Sequence, residues 1–301
     1  AKAYNDKALT LCNLKRYDEA LSYFDQAIKL KPDYAEALCG KAETKLILSN
    51  FEDGWDLYQN RWKKEDFEKY RYSQFKELKT INNLENKKIL IWHEQGLGDT
   101  IQFSRYISKL TDLGAVVTFE VQKDLVHFFK KQFNCKVIDQ VSINEYFDYQ
   151  TPLLNLPYVF KTSIDTIPLS LFYIKVQDEN NIVYWKEKLK LSKDKLNVGI
   201  AISGNPNYLD NQTRSIPLKT IEPLFQQANF FIIQKELSMM DSEFLKKYLD
   251  IKFMGKEIIN FSDTAAIVEN MDLIISIDTS LIHLAGAIGD RKSTRLNSSH
   301  V

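Results

Sequence analysis

Asp99 is the side chain in this chain best placed to do chemistry. It follows His93, Glu94, Gln95, Gly96, Leu97 and Gly98, and that loop follows an apolar run from Ile89 to Trp92. The run reads as a buried parallel strand, and Gly96 and Gly98 break it with a flexible turn. A helix is expected to start at Asp99 or Thr100, with Ile101, Phe103, Ile107 and Leu110 at helical spacing. That order sets a carboxylate at the mouth of a strand–turn–helix unit, where open α/β sheets bind ligands. Asp99 can take a proton there, or it can serve as a helix N-cap. The spacing excludes a dinucleotide loop, because Ile101 stands where the third glycine belongs. No Gly-Lys-Ser/Thr follows, so a P-loop is excluded as well. His93 and Glu94 could orient an acceptor or modulate Asp99, or simply face water.

A second constellation lies in the C-terminal third. Ser203, Gly204, Asn205 and Pro206 follow an apolar run, and Arg214 to Pro217 lead into a helix. Gln234 and Lys235 follow a second run; Asp278, Thr279 and Ser280 follow a third, ahead of a helix carrying His283. Hydroxyls and free backbone N–H groups at a helix start, with cations nearby, make an anion site. Arg214 and Lys235 supply charge that a diphosphate leaving group would need. Taken singly, Thr279 or Ser280 is also a plain cap, Arg214 a solvated charge and His283 a core histidine. Their joint placement at strand ends favours the shared site.

The elements that must position these residues alternate regularly. Strands are expected at 88–92, 116–121 and 136–138, with helices from Thr100 and Lys123 between them. Pro152 to Pro157 and Asp165 to Pro168 read as loops, and 179–192 as an amphipathic helix containing Trp185 and Leu189. A second alternation has strands at 198–202, 230–233 and 273–277 and helices at 218–228, 239–249, 263–270 and 281–288. Residues 87–192 and 193–289 are therefore read as two Rossmann-like lobes around a cleft. The second is expected to lack about two strands of a doubly wound sheet, leaving one face of 273–277 uncovered.

Residues 1–66 hold an internal repeat. Tyr17 to Phe24 recurs 34 residues later as Phe51 to Tyr58, the period of a tetratricopeptide repeat. Ala8, Ala20, Phe24, Ala27 and Pro32 occupy its small, aromatic and helix-ending positions; Gly54 makes the second copy degenerate. Phe24 and Tyr58 are expected between helix pairs; because fewer than three repeats are not expected to be stable alone, either upstream repeats are missing or the pair docks on the next domain. Residues 67–86, charged and aromatic, read as a connector.

Composition excludes several classes. The chain carries 40 basic and 40 acidic residues, with no electrostatic footprint for nucleic acid. Cys12, Cys39 and Cys135 lack metal spacing and read as reduced thiols. No apolar run reaches the roughly 18 residues of a membrane span and no signal peptide is visible, so a cytoplasmic protein is expected. Residues 290–301 resemble the translation of a sequencing-library adapter and are set aside from the fold. Without them 37 basic and 39 acidic residues remain. Ala1 opens inside a helical pattern, and the chain is read as a fragment.

Three ordered motifs carry a family resemblance. The stretch from Gly96 to Ile101, Ser203 to Pro206 with Arg214 to Pro217, and Asp278 to Ala287 resemble bacterial proteins joining tetratricopeptide repeats to a heptosyltransferase-like (family 9) glycosyltransferase. The resemblance spans residues 1–289. It implies a GT-B fold, inverting transfer from a nucleotide-diphospho sugar, and Asp99 as general base. It further implies donor-phosphate contacts from Thr279, Ser280 and His283, and from Arg214. No Asp-x-Asp occurs, so no paired carboxylates are evident to hold a metal against a diphosphate, and no cofactor is expected. The expected partners are a nucleotide-sugar donor, a glycan, lipid or protein acceptor, and a protein partner on the repeats. A non-catalytic repeat scaffold and a nucleotide-sugar epimerase are the alternatives. The epimerase usually needs further acidic residues in both lobes.

Overall fold

The computed structural model describes residues 1–67, 69–168, 172–204, 211–289 and 294–295. Four helices open the chain: α1 (Lys2–Asn13), α2 (Tyr17–Leu30), α3 (Ala35–Ile47) and α4 (Phe51–Tyr58), the last running into a 3-10 turn at Gln59–Lys63. Small residues let these helices approach. Ala8, Ala20, Ala27 and Phe24 are fully buried together. Gly40 is needed beside Phe24, since a Cβ there would lie 2.5 Å from the phenyl ring. Gly54 does the same work between α4 and α3, where a Cβ would meet Leu46 at 2.7 Å. The degenerate position thus keeps the repeat's geometry.

The first sheet follows. Its strands are β1 (Lys88–Trp92), β2 (Val116–Glu120), β3 (Lys136–Ile138) and β4 (Tyr149–Pro152), in the order β3-β2-β1-β4 and parallel throughout. Helices α5 (Leu97–Phe103), α6 (Ile107–Asp112), α7 (Lys123–Phe129) and α8 (Leu156–Val159) join them. Besides β2 ending one residue early and a 3-10 turn at Ser104–Tyr106 dividing α5 from α6, two bounds depart from the sequence expectation. α5 starts at Leu97, with Gly96 as its N-cap, which puts Asp99 at the third helical position. β4 occupies part of what reads as a loop, and Pro152 is tolerated because it ends that strand.

Residues 67–86 are more than a connector. β1 alternates, sending Ile89 and Ile91 to the large core and Leu90 and Trp92 to the other face. That other face is covered by Trp62, Tyr70, Tyr72 and Phe75. Trp92 Nε1 donates to Gln150 Oε1 at 2.7 Å, and Gln150 Nε2 donates to the Tyr70 hydroxyl at 3.0 Å.

The amphipathic helix α9 (Glu179–Leu189) leads to the second sheet. Its strands β5 (Asn197–Ala201), β6 (Asn229–Ile232), β7 (Lys252–Phe253), β8 (Leu273–Ser276) and β9 (Thr294–Arg295) lie in the order β7-β6-β5-β8-β9, parallel among the described residues. Helices α10 (Asn211–Arg214), α11 (Met239–Leu245), α12 (Phe261–Glu269) and α13 (Ser280–Ile288) accompany them, and Leu218–Leu224 is a 3-10 helix containing Pro223. The expected uncovered face of 273–277 is not found. Ile274 and Ile277 are fully buried, Ile275 packs on the second core, and β8 pairs with Thr294–Arg295. One apolar cluster runs from Ile89 to Leu284, so the lobes share a core where α5 meets α13. No helix among the described residues is long and apolar enough to cross a membrane.

Candidate functional site

The loop after β1 is held from several sides. The His93 N–H donates to Glu120 O at 3.0 Å, extending the β1–β2 ladder by one residue. The His93 carbonyl accepts from Arg71, whose guanidinium also pairs with the buried Glu120. Burial and the Arg71 charge push the His93 imidazole down to about 4, so it is neutral near pH 7.

Glu94 does not face water. It is 0% exposed and accepts both fork bonds of Arg61, from Nε at 2.9 Å and from Nη2 at 2.7 Å. It also accepts the Leu154 N–H at 3.1 Å. Of the roles expected for Glu94 this excludes facing water: a carboxylate this deep must be paired, and its partner is Arg61, at the end of the N-terminal helical segment. Tyr58 is likewise turned to this loop and not between helix pairs, its hydroxyl accepting from Gln95 Nε2 at 2.8 Å. Gln95 itself adopts φ +59°, uncommon for a residue with a Cβ.

Asp99 completes the loop. Its Oδ2 accepts the Gly96 N–H at 3.0 Å, returning the carboxylate to the helix start as in a capping box. Burial raises the carboxyl above its ordinary range, against the Gly96 N–H and nearby His283, which favour the ionised form. Gly98 lets the other lobe approach, because a Cβ there would lie 2.7 Å from His283 Cδ2.

The second lobe brings its residues to the same place. Gln234 at the end of β6 shapes the loop after β5, its Oε1 accepting Ile202 N–H at 2.8 Å and its Nε2 donating to Ser203 Oγ at 2.6 Å. The Gly204 N–H donates to Asn211 Oδ1 at 2.9 Å, and a Cβ on Gly204 would meet Arg214 Nη2 at 2.6 Å. Arg214 Nη1 donates to the Asp278 carbonyl at 2.9 Å. The Asp278 carboxylate lies 3.7 Å from His283 Nε2, both side chains a quarter exposed. Thr279 is the N-cap of α13, its hydroxyl 3.1 Å from Ser276 Oγ, and Ser280 is the first helical residue.

A line of close approaches therefore runs from Gly204 through Arg214, Asp278 and His283 to Gly98, across both lobes, and the His283 charge is near enough to act on Asp99. Lys235 is exposed and makes none of the contacts along this line. Asn205 and the tail 290–293 and 296–301 lie outside the described residues. Among the described residues, no group of three or more His, Cys, Asp or Glu side chains is arranged to hold a metal ion. Arg61, Arg71, Glu120 and Gln95 escape a sequence reading, since the partners that give them their roles lie 22 to 94 residues away.

Comparison with known proteins agrees with this architecture. The tetratricopeptide repeat model matches residues 1–34. Protein FlbA of Caulobacter vibrioides is 19% identical over 96% of this chain, and the chain spans 59% of that protein's length. A glycosyl transferase family 9 structure from Veillonella parvula superposes with a TM-score of 0.51 at 11% identity, covering 68% of this chain and 79% of that one. The ADP-heptose LPS heptosyltransferase II of E. coli gives 0.48 at 11% identity over 69% of this chain and 90% of its own. At such identity the first superposition speaks for fold. Residues 1–34 thus match a tetratricopeptide repeat, and the rest of the chain shares its two-sheet α/β fold with the Veillonella parvula family 9 glycosyl transferase structure.

Proposed function

We propose that this chain transfers a sugar from a nucleotide-diphospho sugar to an acceptor hydroxyl, with inversion and without a metal. The observation that carries the proposal is the close approach of the Asp99 helix start in one lobe to His283, Asp278 and Arg214 of the other. In this reading residues 87–192 form the acceptor lobe and 193–289 the donor lobe. Asp99 takes the acceptor proton as the acceptor oxygen bonds to the anomeric carbon. The bond from that carbon to the diphosphate oxygen breaks on the opposite face. The negative charge that develops there is met by Arg214, by Thr279 and Ser280, by the N–H groups opening α13, and by His283. Ser203 and Gly204 line the same end of the sheet. Lys235 would have to swing inward to join them.

The donor side is testable by affinity. Arg214→Ala should weaken nucleoside-diphosphate binding by roughly 1.5–3 kcal/mol, the scale of a charge-assisted hydrogen bond. Calorimetric titration with a panel of nucleoside diphosphates measures it, and unchanged affinity would sink the assignment. The base is testable by pH. Burial holds the Asp99 carboxyl above the usual carboxylate range, and a general base must be ionised. The rate should therefore fall as pH drops through that raised value, so the acid limb of the kcat profile lies above the position of a solvent-exposed carboxylate.

The repeats would bind a protein partner, and the acceptor would be a glycan, a lipid or a protein. A non-catalytic scaffold is the rival reading, and it predicts no turnover for Asp99 to support.

A further inference from the structure

We propose that the repeat segment supplies positioning residues to the transfer site: Arg61 and Tyr58 hold the loop that carries Asp99. The inference rests on Asp99 being the base, and it adds that the base's geometry is set from outside its own lobe.

Both residues immediately before the α5 N-cap are gripped by the end of the repeat segment. Glu94 is held through two fork bonds by Arg61, whose Nη2 also donates to Asn155 Oδ1 at 2.6 Å. One guanidinium thereby ties the β1 loop to the segment after β4. Its Cζ lies over the rings of Tyr58 and Trp62, at 4.5 and 4.7 Å from the ring centroids. Gln95 is held in its left-handed conformation from two sides, with its side chain on Tyr58 and its carbonyl accepting from Gln122 Nε2 at 3.2 Å. The other end of α5 is touched by the same repeat helix, Trp55 meeting Phe103 edge-on at 5.9 Å. The helix bearing Asp99 is thus clamped at both ends by α4 and its 3-10 extension.

The chemistry of the clamp argues for orientation over cohesion. A buried ion pair is seldom more stabilising than a packed apolar pair of the same volume, because both charges must leave water. What the bidentate fork adds is direction, since two parallel N–H···O bonds fix the carboxylate's plane and angle. Glu94 is five residues from Asp99, and the intervening turn is closed by the Gly96 N–H on the Asp99 carboxylate. A small misplacement of that carboxylate is enough to slow proton transfer greatly.

The test replaces both charges together, Arg61→Met with Glu94→Gln, so that no uncompensated charge stays buried. Arg61→Lys, which keeps the charge and loses the fork, is measured beside it and decides alone if the paired variant fails to fold. Amide exchange over residues 95–99 is followed by mass spectrometry. Turnover is followed as nucleoside diphosphate released from a panel of nucleotide-diphospho sugars, and nucleoside-diphosphate affinity by calorimetry. Exchange at 95–99 should accelerate and kcat should fall, each by about tenfold or more, with nucleotide affinity unchanged. Wild-type exchange in that loop, or wild-type kcat despite faster exchange, overturns the proposal. An equal loss of nucleotide affinity also overturns it, because the damage is then general. Asp99→Asn serves as the separate control: full turnover in that variant sinks the base reading, whereas the exchange result bears on the clamp alone.

Discussion

Replacing Asp99 by Asn is expected to lower turnover by about 10²–10⁴-fold while nucleoside-diphosphate binding and melting temperature stay nearly unchanged. The amide keeps the size of the carboxylate, and its oxygen can still accept the Gly96 N–H that Asp99 holds at 3.0 Å. What it loses is the capacity to take a proton. An acceptor hydroxyl is a poor nucleophile near pH 7, so that single loss reaches the bond-forming step directly. The donor contacts proposed above lie on the other lobe, and the amide leaves the charge of Arg214 and the start of α13 in place. Steady-state kinetics with thermal denaturation of the same variant separates the two roles of this residue. A variant that turns over normally but melts several degrees lower would show Asp99 to be a capping residue only.

Phe24→Ala should destabilise the repeat segment by about 3–5 kcal/mol, the range for deleting a fully buried aromatic side chain. Phe24 fills the space that Gly40 leaves open between α2 and α3, and the flanking alanines have no longer side chain with which to close the void. Chemical denaturation monitored by far-ultraviolet circular dichroism measures the loss. A change under 1 kcal/mol would mean that the helices collapse onto the gap, which their backbone contacts oppose.

How much of this was legible in the sequence follows from where each residue's partners lie. β1 and β3 have the expected bounds because their signal is a local apolar run. β4 escaped notice because its Gln150 is spent on Trp92 and Tyr70, giving a polar strand with no run to read. The two-residue β7 is too short for any pattern. Residues 67–86 look like a solvated link by composition, yet their aromatics cover a sheet face. The site divides in the same way. Asp99, Gly98, Arg214, Asp278 and His283 sit in local strand–turn–helix motifs, and the structure brings them together. Glu94 has no local signal of its role, because that depends on an arginine 33 residues earlier. Asp99 could be read as cap or base, and the structure shows a carboxylate that closes the helix start and also borders the opposite lobe.

The aromatic cover on the Leu90 and Trp92 face is made before the surface it covers. Tyr70 meets Gln150 across 80 residues of chain, which a ribosome adds in about 4–16 s at roughly 5–20 residues per second. Throughout that interval Trp62, Tyr70, Tyr72 and Phe75 are on the nascent chain with β4 not yet made. Until Phe147 and Gln150 emerge, these aromatics have Leu90 and Trp92 to pack on but lack the polar bonds that complete the face, an interval long compared with hydrophobic collapse.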